Sequence, residues 1–241
     1  MLPAVNDEMR SRLYEAYSTT HAGTANESAG EITFRRSILP YLPIRREAAI
    51  VDLGCGQGRL VRQLLRHGYQ NSRGIDISPE QVELAHAAGI TQVELGDYRK
   101  GFRGNSLDVV TATDFFEHLT KFEVLEALDR VYDSLRPGGI LVLRVPNSVS
   151  PFGGNYRYGD ITHETSFTAR SLSQLGAAAR FENVESFASP PPIHGAKSFA
   201  RAAVWKVVSG GMKLALAAET GAFRGHFVTQ NIVVVMRKRT S

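Results

Sequence analysis

Apolar runs of strand length alternate along this chain with segments of helical period. Ala48 to Leu53 is a β-branched, apolar run, and Arg59 to Arg66 repeats Leu60, Leu64 and Leu65 at helical spacing. The pair then recurs. Ser72 to Ile77 predicts a second strand, and Ser78-Pro79-Glu80-Gln81 supplies an N-cap and a first-turn proline for the helix after it. Gln92 to Leu95 predicts a third strand and Leu107 to Thr113 a fourth. Phe122 to Leu135 has the pattern of an amphipathic helix, stopped by Arg136-Pro137-Gly138-Gly139, and Ile140 to Val145 is a continuous apolar fifth strand. Thr168 caps a helix through Ala179, Asn183 to Ala188 reads as a sixth strand, and Phe227 to Met236 as a seventh. The alternation predicts an α/β fold.

Composition narrows the picture. The chain has 241 residues, 43% hydrophobic and 22% charged, which is ordinary globular usage and predicts one domain with additions. A single cysteine excludes an intrachain disulfide, and no metal-binding cysteine spacing exists. The first residues lack the basic start and apolar core of a signal peptide, so a cytoplasmic location is expected. Net charge is +4, but the pairs Arg35-Arg36 and Arg45-Arg46 and the run Arg237-Lys238-Arg239 are short and dispersed. No nucleic-acid module accompanies them, and no nucleic-acid partner is expected.

The candidate chemistry begins at Val51-Asp52-Leu53-Gly54-Cys55-Gly56-Gln57-Gly58, where the first strand gives way to the first helix. Glycine admits positive φ and lets main-chain N–H groups approach a ligand, and the helix N-terminus adds unpaired donors. A dinucleotide fingerprint is G-x-G-x-x-G; here the spacing is G-x-G-x-G, and position 59 is arginine. A nicotinamide-dependent oxidoreductase is therefore disfavoured. A ligand-free glycine turn is the plain structural alternative.

Asp52 to Gly58 resembles the glycine loop of class I S-adenosylmethionine (SAM) dependent methyltransferases residue for residue. Asp76, about 20 residues beyond the glycines and at a strand tip, stands where nucleoside folds place a ribose-binding acid, next to Ile77. Gly96-Asp97-Tyr98 looks like the family's adenine segment, with Asp97 accepting from the amino group and Tyr98 beside the ring. Asp114-Phe115-Phe116-Glu117-His118-Leu119 follows the fourth strand, where the family places an acid and aromatics near the methionine half of SAM. Leu-Arg-Pro-Gly-Gly before the fifth strand is a frequent family spelling. The resemblance implies a doubly wound, seven-stranded, mostly parallel sheet, and SAM as cofactor held by Asp52, Gly54, Cys55, Gly56, Gly58, Asp76, Ile77, Asp97, Tyr98, Asp114 and Phe115.

Outside this core, residues 1–47 are expected to form an N-terminal helical cap on a SAM-binding domain of residues 48–241. The cap would hold a helix around Met9 to Tyr17, a mobile Gly- and Ser-rich loop from Ser18 to Gly30, and a helix from about Ile32 to Leu42; Tyr14, Tyr17 and Arg36 are candidate pocket covers. A long loop from Pro146 to Glu164 carries aromatics, acids and His163, and is the candidate for substrate recognition. Its His163, Phe167 and Ser171-Leu172 resemble a bacterial subgroup of small-molecule and glycan methyltransferases. A hydroxyl acceptor needs a base, and His163 is the first candidate, His118 the second. Asp160, His163 and Glu164 offer a metal reading, but carboxylates in polar loops are usually solvated, so no metal is expected. Residues 190–226 are an insertion, expected as an acceptor cap broken at Gly210-Gly211. Its segment 198–218 is the candidate contact with a membrane surface or, in a homodimer, a second subunit. A SAM-binding regulatory protein without turnover is the rival function.

Overall fold

The computed structural model describes residues 27–100, 104–222 and 225–240. Tyr14, Tyr17 and the helix expected around Met9 lie outside them. Seven strands form one sheet: β1 (Ile50–Leu53), β2 (Ser72–Asp76), β3 (Val93–Leu95), β4 (Leu107–Thr113), β5 (Leu135–Pro146), β6 (Asn183–Ser189) and β7 (Asn231–Arg237). Their order is β3-β2-β1-β4-β5-β7-β6. The first five pair in parallel, and β7 is antiparallel to both β5 and β6. The expected seven-stranded, mostly parallel sheet is what the structure contains.

Helices cover both faces. On one face, α1 (Glu27–Ser37) and α2 (Arg59–Arg66) bury Phe34, Ile38 and Leu64 against Ile50, Val109, Val142 and Val233. On the other, α4 (Lys121–Ser134) and α6 (Ala169–Ala178) bury Val124, Leu128 and Leu172 against Leu53, Val110, Ala112 and Leu143. Neighbours such as Val109 and Val110 thus enter opposite cores, which is why the central strands read as unbroken apolar runs. Both α4 and α6 start in capping boxes, Thr120 with Glu123 and Thr168 with Ser171. Helix α3 (Pro79–Ala87) starts at the Ser78 cap, whose hydroxyl accepts from Gln81 N–H.

Several boundaries differ from the sequence pattern. Helix α1 spans Glu27–Ser37, so residues 27–30 of the expected loop are helical, and Leu39–Tyr41 is a 3-10 turn. Strand β5 begins at Leu135, because Leu107 pairs with Leu135 and Val109 with Ile140. Residues 136–139 bulge out between those pairs, with Gly138 at φ +76°. Asp108 stitches the bulge by accepting from Arg136 and Arg45 side chains and from Ala49 N–H. Part of the presumed substrate loop is a short helix, α5 (Gly153–Gly159). Helix α7 (Ala196–Thr220) runs 25 residues without a break, since open space surrounds Gly210 and Gly211 and two glycines cost a long helix only about 1 kcal/mol each. The seventh strand starts at Asn231 rather than Phe227.

The arrangement positions a site. Strand β1 lies between β2 and β4, so the connections leaving its carboxyl end and that of β4 diverge to opposite sides and open a crevice there. Between β3 and β4 the described residues hold only a 3-10 turn, Tyr98–Lys100. A shallow cleft of about 550 Å³ therefore lies along β1 to β3, lined by Ala49, Arg73, Ile75, Glu94, Asp97 and Lys100.

Close packing of β2 under the first loop can be tested. A Cβ at Gly74 would lie 2.5 Å from Cys55 Sγ and 2.9 Å from Val61. Gly74→Ala should cost about 1–3 kcal/mol in urea unfolding through overpacking, and part of that loss should return in the Gly74→Ala, Cys55→Ala double variant.

Candidate active site

The loop leaving β1 is held by backbone bonds to β2: Gly54 N–H and Cys55 N–H both donate to Ile75 carbonyl oxygen. Gly54, Gly56 and Gly58 all have positive φ, which explains three glycines at alternate positions. Gly54 and Gly58 are also steric necessities. A Cβ at Gly54 would strike the Phe115 ring at 2.5 Å, and one at Gly58 would meet Val93 at 2.7 Å. At Gly56 a Cβ would meet only Gln81, at 3.5 Å, so its glycine is required by the positive φ rather than by a clash. Cys55 turns its side chain inward among Val61, Val82, Ala85 and Val93, leaving only its backbone at the loop surface. Burial raises its thiol pKa far above the ordinary value.

Asp76 ends β2 and closes the loop. Its Oδ2 accepts from Gly56 N–H at 2.7 Å and its Oδ1 from Ser78 N–H at 2.9 Å. Burial raises its pKa, against the lowering pull of those backbone donors. Beneath it, Asp52 is buried and accepts from the Thr111 hydroxyl at 2.8 Å. Desolvation, with Asp76 nearby, pushes the Asp52 carboxyl up to about 7. Ile77 is exposed beside Asp76 and offers apolar surface at the same edge. Asp97 stands at the next strand tip, where burial is outweighed by Arg99, which hydrogen-bonds it at 2.8 Å and holds it below the ordinary carboxylate value. Tyr98, expected beside the adenine ring, packs its own ring edge-on to Phe115 at 5.8 Å, and its hydroxyl is buried without a hydrogen-bond partner among the described residues. Burial raises that phenol to about 12.

At the end of β4 the chain turns through Asp114 in a left-handed conformation, φ +52°. Asp114 pairs with Arg144 of β5 at 2.6 Å, and Phe115 lies on the glycine loop, so two separate strand ends meet here. The 3-10 turn Phe116–His118 then buries Glu117 and His118. Glu117 Oε2 is buried with no hydrogen-bond partner. Its pKa is raised well above the ordinary value by burial and by Asp114 and Asp160, with Arg144 opposing.

His163 arrives 45 residues later in the chain, and its ring meets that of His118 with centroids 4.8 Å apart. Glu164 N–H and Thr165 N–H both donate to the Glu117 carbonyl, and Arg157 donates to the His163 and Glu164 carbonyls, which fixes the loop on the 3-10 turn. His118 Nδ1 lies 2.9 Å from Thr162 Oγ1, and that hydroxyl donates to Asp160 Oδ1 at 2.6 Å. The hydroxyl proton is thus committed, so Thr162 Oγ1 accepts from His118 Nδ1. His163 Nδ1 lies 2.7 Å from the Tyr156 carbonyl, which can only accept. Both rings thus carry a proton at Nδ1, and His163 Nε2 lies 3.7 Å from Asp160 Oδ2. Burial, then His163, lowers His118 to about 4, so it is neutral at physiological pH.

Residues 30–186 match a family of methyltransferase domains. The chain belongs to that family. Its fold is that of the class I SAM-dependent enzymes: a SAM-dependent methyltransferase from Archaeoglobus fulgidus superposes with a TM-score of 0.68 at 22% identity, over 93% of this chain and 99% of that one. A trans-aconitate 2-methyltransferase from Rhizobium leguminosarum bv. trifolii is 26% identical over 60% of this chain and 57% of its own length. A 27-O-demethylrifamycin SV methyltransferase from Amycolatopsis mediterranei is 29% identical over 54% of this chain and 50% of its own. The chain thus spans about half the length of the curated relatives it matches. Family membership favours the methyl-donor reading of the glycine loop over the nicotinamide one.

The methyltransferase domain brings together most residues singled out in its sequence. The three glycines, Asp76 and Ile77 gather at the ends of β1 and β2 above the buried Asp52, Phe115 packs on Gly54, and Asp114, His118 and His163 lie beyond the end of β4. Asp97 sits at the next strand tip, while Cys55 and Tyr98 present their side chains to cores. Glu117, Tyr156 and Thr162 are additions from the structure. The Glu-His pair after β4 was a visible signal for Glu117, but its convergence with a histidine 45 positions away required the folded loop.

The buried Asp52 predicts a pH effect. An acid whose pKa rises on folding stabilises the native state most at low pH, and that contribution is lost as pH climbs from near 4 through about 7. Asp52→Asn should remove this loss, so the variant's melting temperature relative to wild type should improve from pH 5 to pH 8 in ligand-free protein. A constant difference across that range would show that Asp52 does not titrate there.

Proposed function

We propose that this methyltransferase domain transfers a methyl group from SAM to an oxygen of a small molecule, a hydroxyl of a metabolite or sugar. The observation that carries the reading is that the glycine loop locked to Asp76 and the paired rings of His118 and His163 follow the carboxyl ends of neighbouring strands of one sheet. SAM supplies an electrophilic methyl group on a sulfonium that leaves as a neutral thioether. Gly54, Cys55, Gly56 and Gly58 would hold it through backbone, Asp76 through the ribose hydroxyls, Ile77 and Asp97 at the adenine, and Asp52, Asp114 and Phe115 at the methionine end. An acceptor hydroxyl must lose its proton as its oxygen bonds to carbon, and His163 on the substrate loop is the first candidate base, with His118 the second. Phe115 and the buried 3-10 turn exclude water from the line of transfer. The name of the Amycolatopsis relative specifies an oxygen acceptor, and that of the Rhizobium relative a small organic acid, which supports the acceptor class.

The insertion supports a second surface. Only Ser198 and Ala217 of α7 are buried, and Phe199, Val204, Val207 and Leu214 are exposed between Lys197, Arg201, Lys206 and Lys213. No helix among the described residues is long and apolar enough to cross a membrane. Such a basic, apolar helix suits an anionic membrane surface, with a second copy of the chain or the acceptor as the other cover. Co-sedimentation with anionic vesicles, lost in Val204→Asp, is the expected result.

Two measurements test the central reading. Asp76→Ala should weaken SAM affinity in calorimetry by at least about tenfold, the loss of charged hydrogen bonds. His163→Ala should lower turnover by about 100-fold or more with SAM affinity unchanged. A panel of hydroxylated acceptors that gives no methylated product with SAM bound would favour the regulatory SAM-binding reading instead.

A further inference from the structure

Among the described residues, Glu117, His118 and His163 each place one ligating atom within 4.8 Å of the other two. We propose that they form a binding site for a divalent first-row transition metal ion, coordinated by Glu117 Oε2 and the Nε2 atoms of His118 and His163. Two independent observations point to a ligand. The first is Glu117 Oε2, an oxygen of a side chain 1% exposed, which has no hydrogen-bond partner. A buried acceptor left unmatched is costly, more so when charged, and no described residue hydrogen-bonds this one. The second is the orientation of the imidazoles: Thr162 Oγ1 and the Tyr156 carbonyl each take an Nδ1 proton, the kind of outer hydrogen bond that orients histidines on metals, and His163 Nε2 lies 3.7 Å from Asp160 Oδ2.

The donor set selects the ion. Two imidazoles and one carboxylate suit zinc, cobalt, iron or manganese rather than magnesium or calcium, which favour oxygen donors. Ligands around such an ion stand roughly 3 to 4 Å apart, so small side-chain rotations bring these three onto it. Three protein ligands leave positions open, as in catalytic rather than structural sites. A cation here would stand close to the carboxylates of Asp114, Glu117 and Asp160.

The role of the ion rests on the oxygen-methylation reading; the site itself does not. An ion here would polarise the acceptor oxygen and lower the pKa of its hydroxyl. The proton would pass to solvent, the oxygen would bond to the methyl carbon, and the carbon–sulfur electron pair would return to sulfur. The histidines would then act by holding the ion instead of receiving the proton.

The test uses the full chain, stripped with chelator and titrated with cobalt(II) chloride while visible absorption and calorimetry are recorded. Wild type should bind one equivalent and develop absorption bands of a nitrogen- and oxygen-ligated cobalt site. Glu117→Gln, which keeps the buried shape, and His163→Gln should each weaken cobalt binding by about tenfold or more, with SAM affinity unchanged. Absence of a saturable cobalt site in folded wild type overturns the proposal, as does equal affinity in both variants. If chelated enzyme keeps full turnover, the ion has no role in transfer while the base reading stands. If SAM fails to bind, the methyl-transfer reading falls while the cobalt result is still decided by its own titration.

Discussion

The carboxylate of Asp76 holds the crevice open. Its two oxygens accept one N–H from the loop after β1 and one from the start of α3, so two connections that leave neighbouring strands are tied to a single side chain. The rest follows from that tie. With Gly56 pinned, Gly54 must present its open face to Phe115, and the ring in turn fixes where the chain leaves β4. The position of Asp114, of the 3-10 turn and of both histidines is thereby referred back to β2. The carboxylate is only partly neutralised by backbone dipoles, and burial raises its proton affinity, so it remains poised to accept a further donor from a bound nucleoside.

The acceptor side is built on a different plan. It has few apolar contacts of its own and depends on carbonyl groups: Glu117 oxygen receives two N–H groups, Leu119 oxygen receives the Thr165 hydroxyl, and Arg157 gathers two more. A loop fastened in this way keeps its side chains oriented while its outer face, with Tyr158 and Ile161 exposed, stays available. The same fastening determines which nitrogen of each imidazole carries hydrogen. The chemistry of the pair is therefore decided by residues that need never touch substrate, Thr162 and the carbonyl of Tyr156.

The parts of this fold that obey local rules were readable in the chain. Strands buried on both faces announce themselves as apolar runs, and capping residues such as Ser78, Thr120 and Thr168 mark helix starts. The loop glycines were equally plain, because positive φ leaves little choice of residue. What stayed hidden depends on distant partners. Leu135 joins β5 only because Leu107 lies opposite and Asp108 gathers two arginines around the bulge. The helix α7 survives Gly210-Gly211 because nothing there competes with continuation. Tyr98 follows α4 rather than the strand tip, since its ring gains more from the Phe115 edge than from solvent. The burial of Glu117 depends on the loop carrying His163, whose Glu164 and Thr165 N–H groups bond the Glu117 carbonyl.

The inward turn of Cys55 has a practical consequence. It is the chain's one thiol, enclosed by Gly74, Val61 and their neighbours and starved of the thiolate form at which alkylating reagents react. The native background for maleimide chemistry is accordingly almost silent. A cysteine introduced on the exposed side of α7 or at Tyr158 would be the sole site to accept a fluorophore or spin label, and the distance between such labels would report directly on how the insertion and the loop carrying His163 move relative to each other.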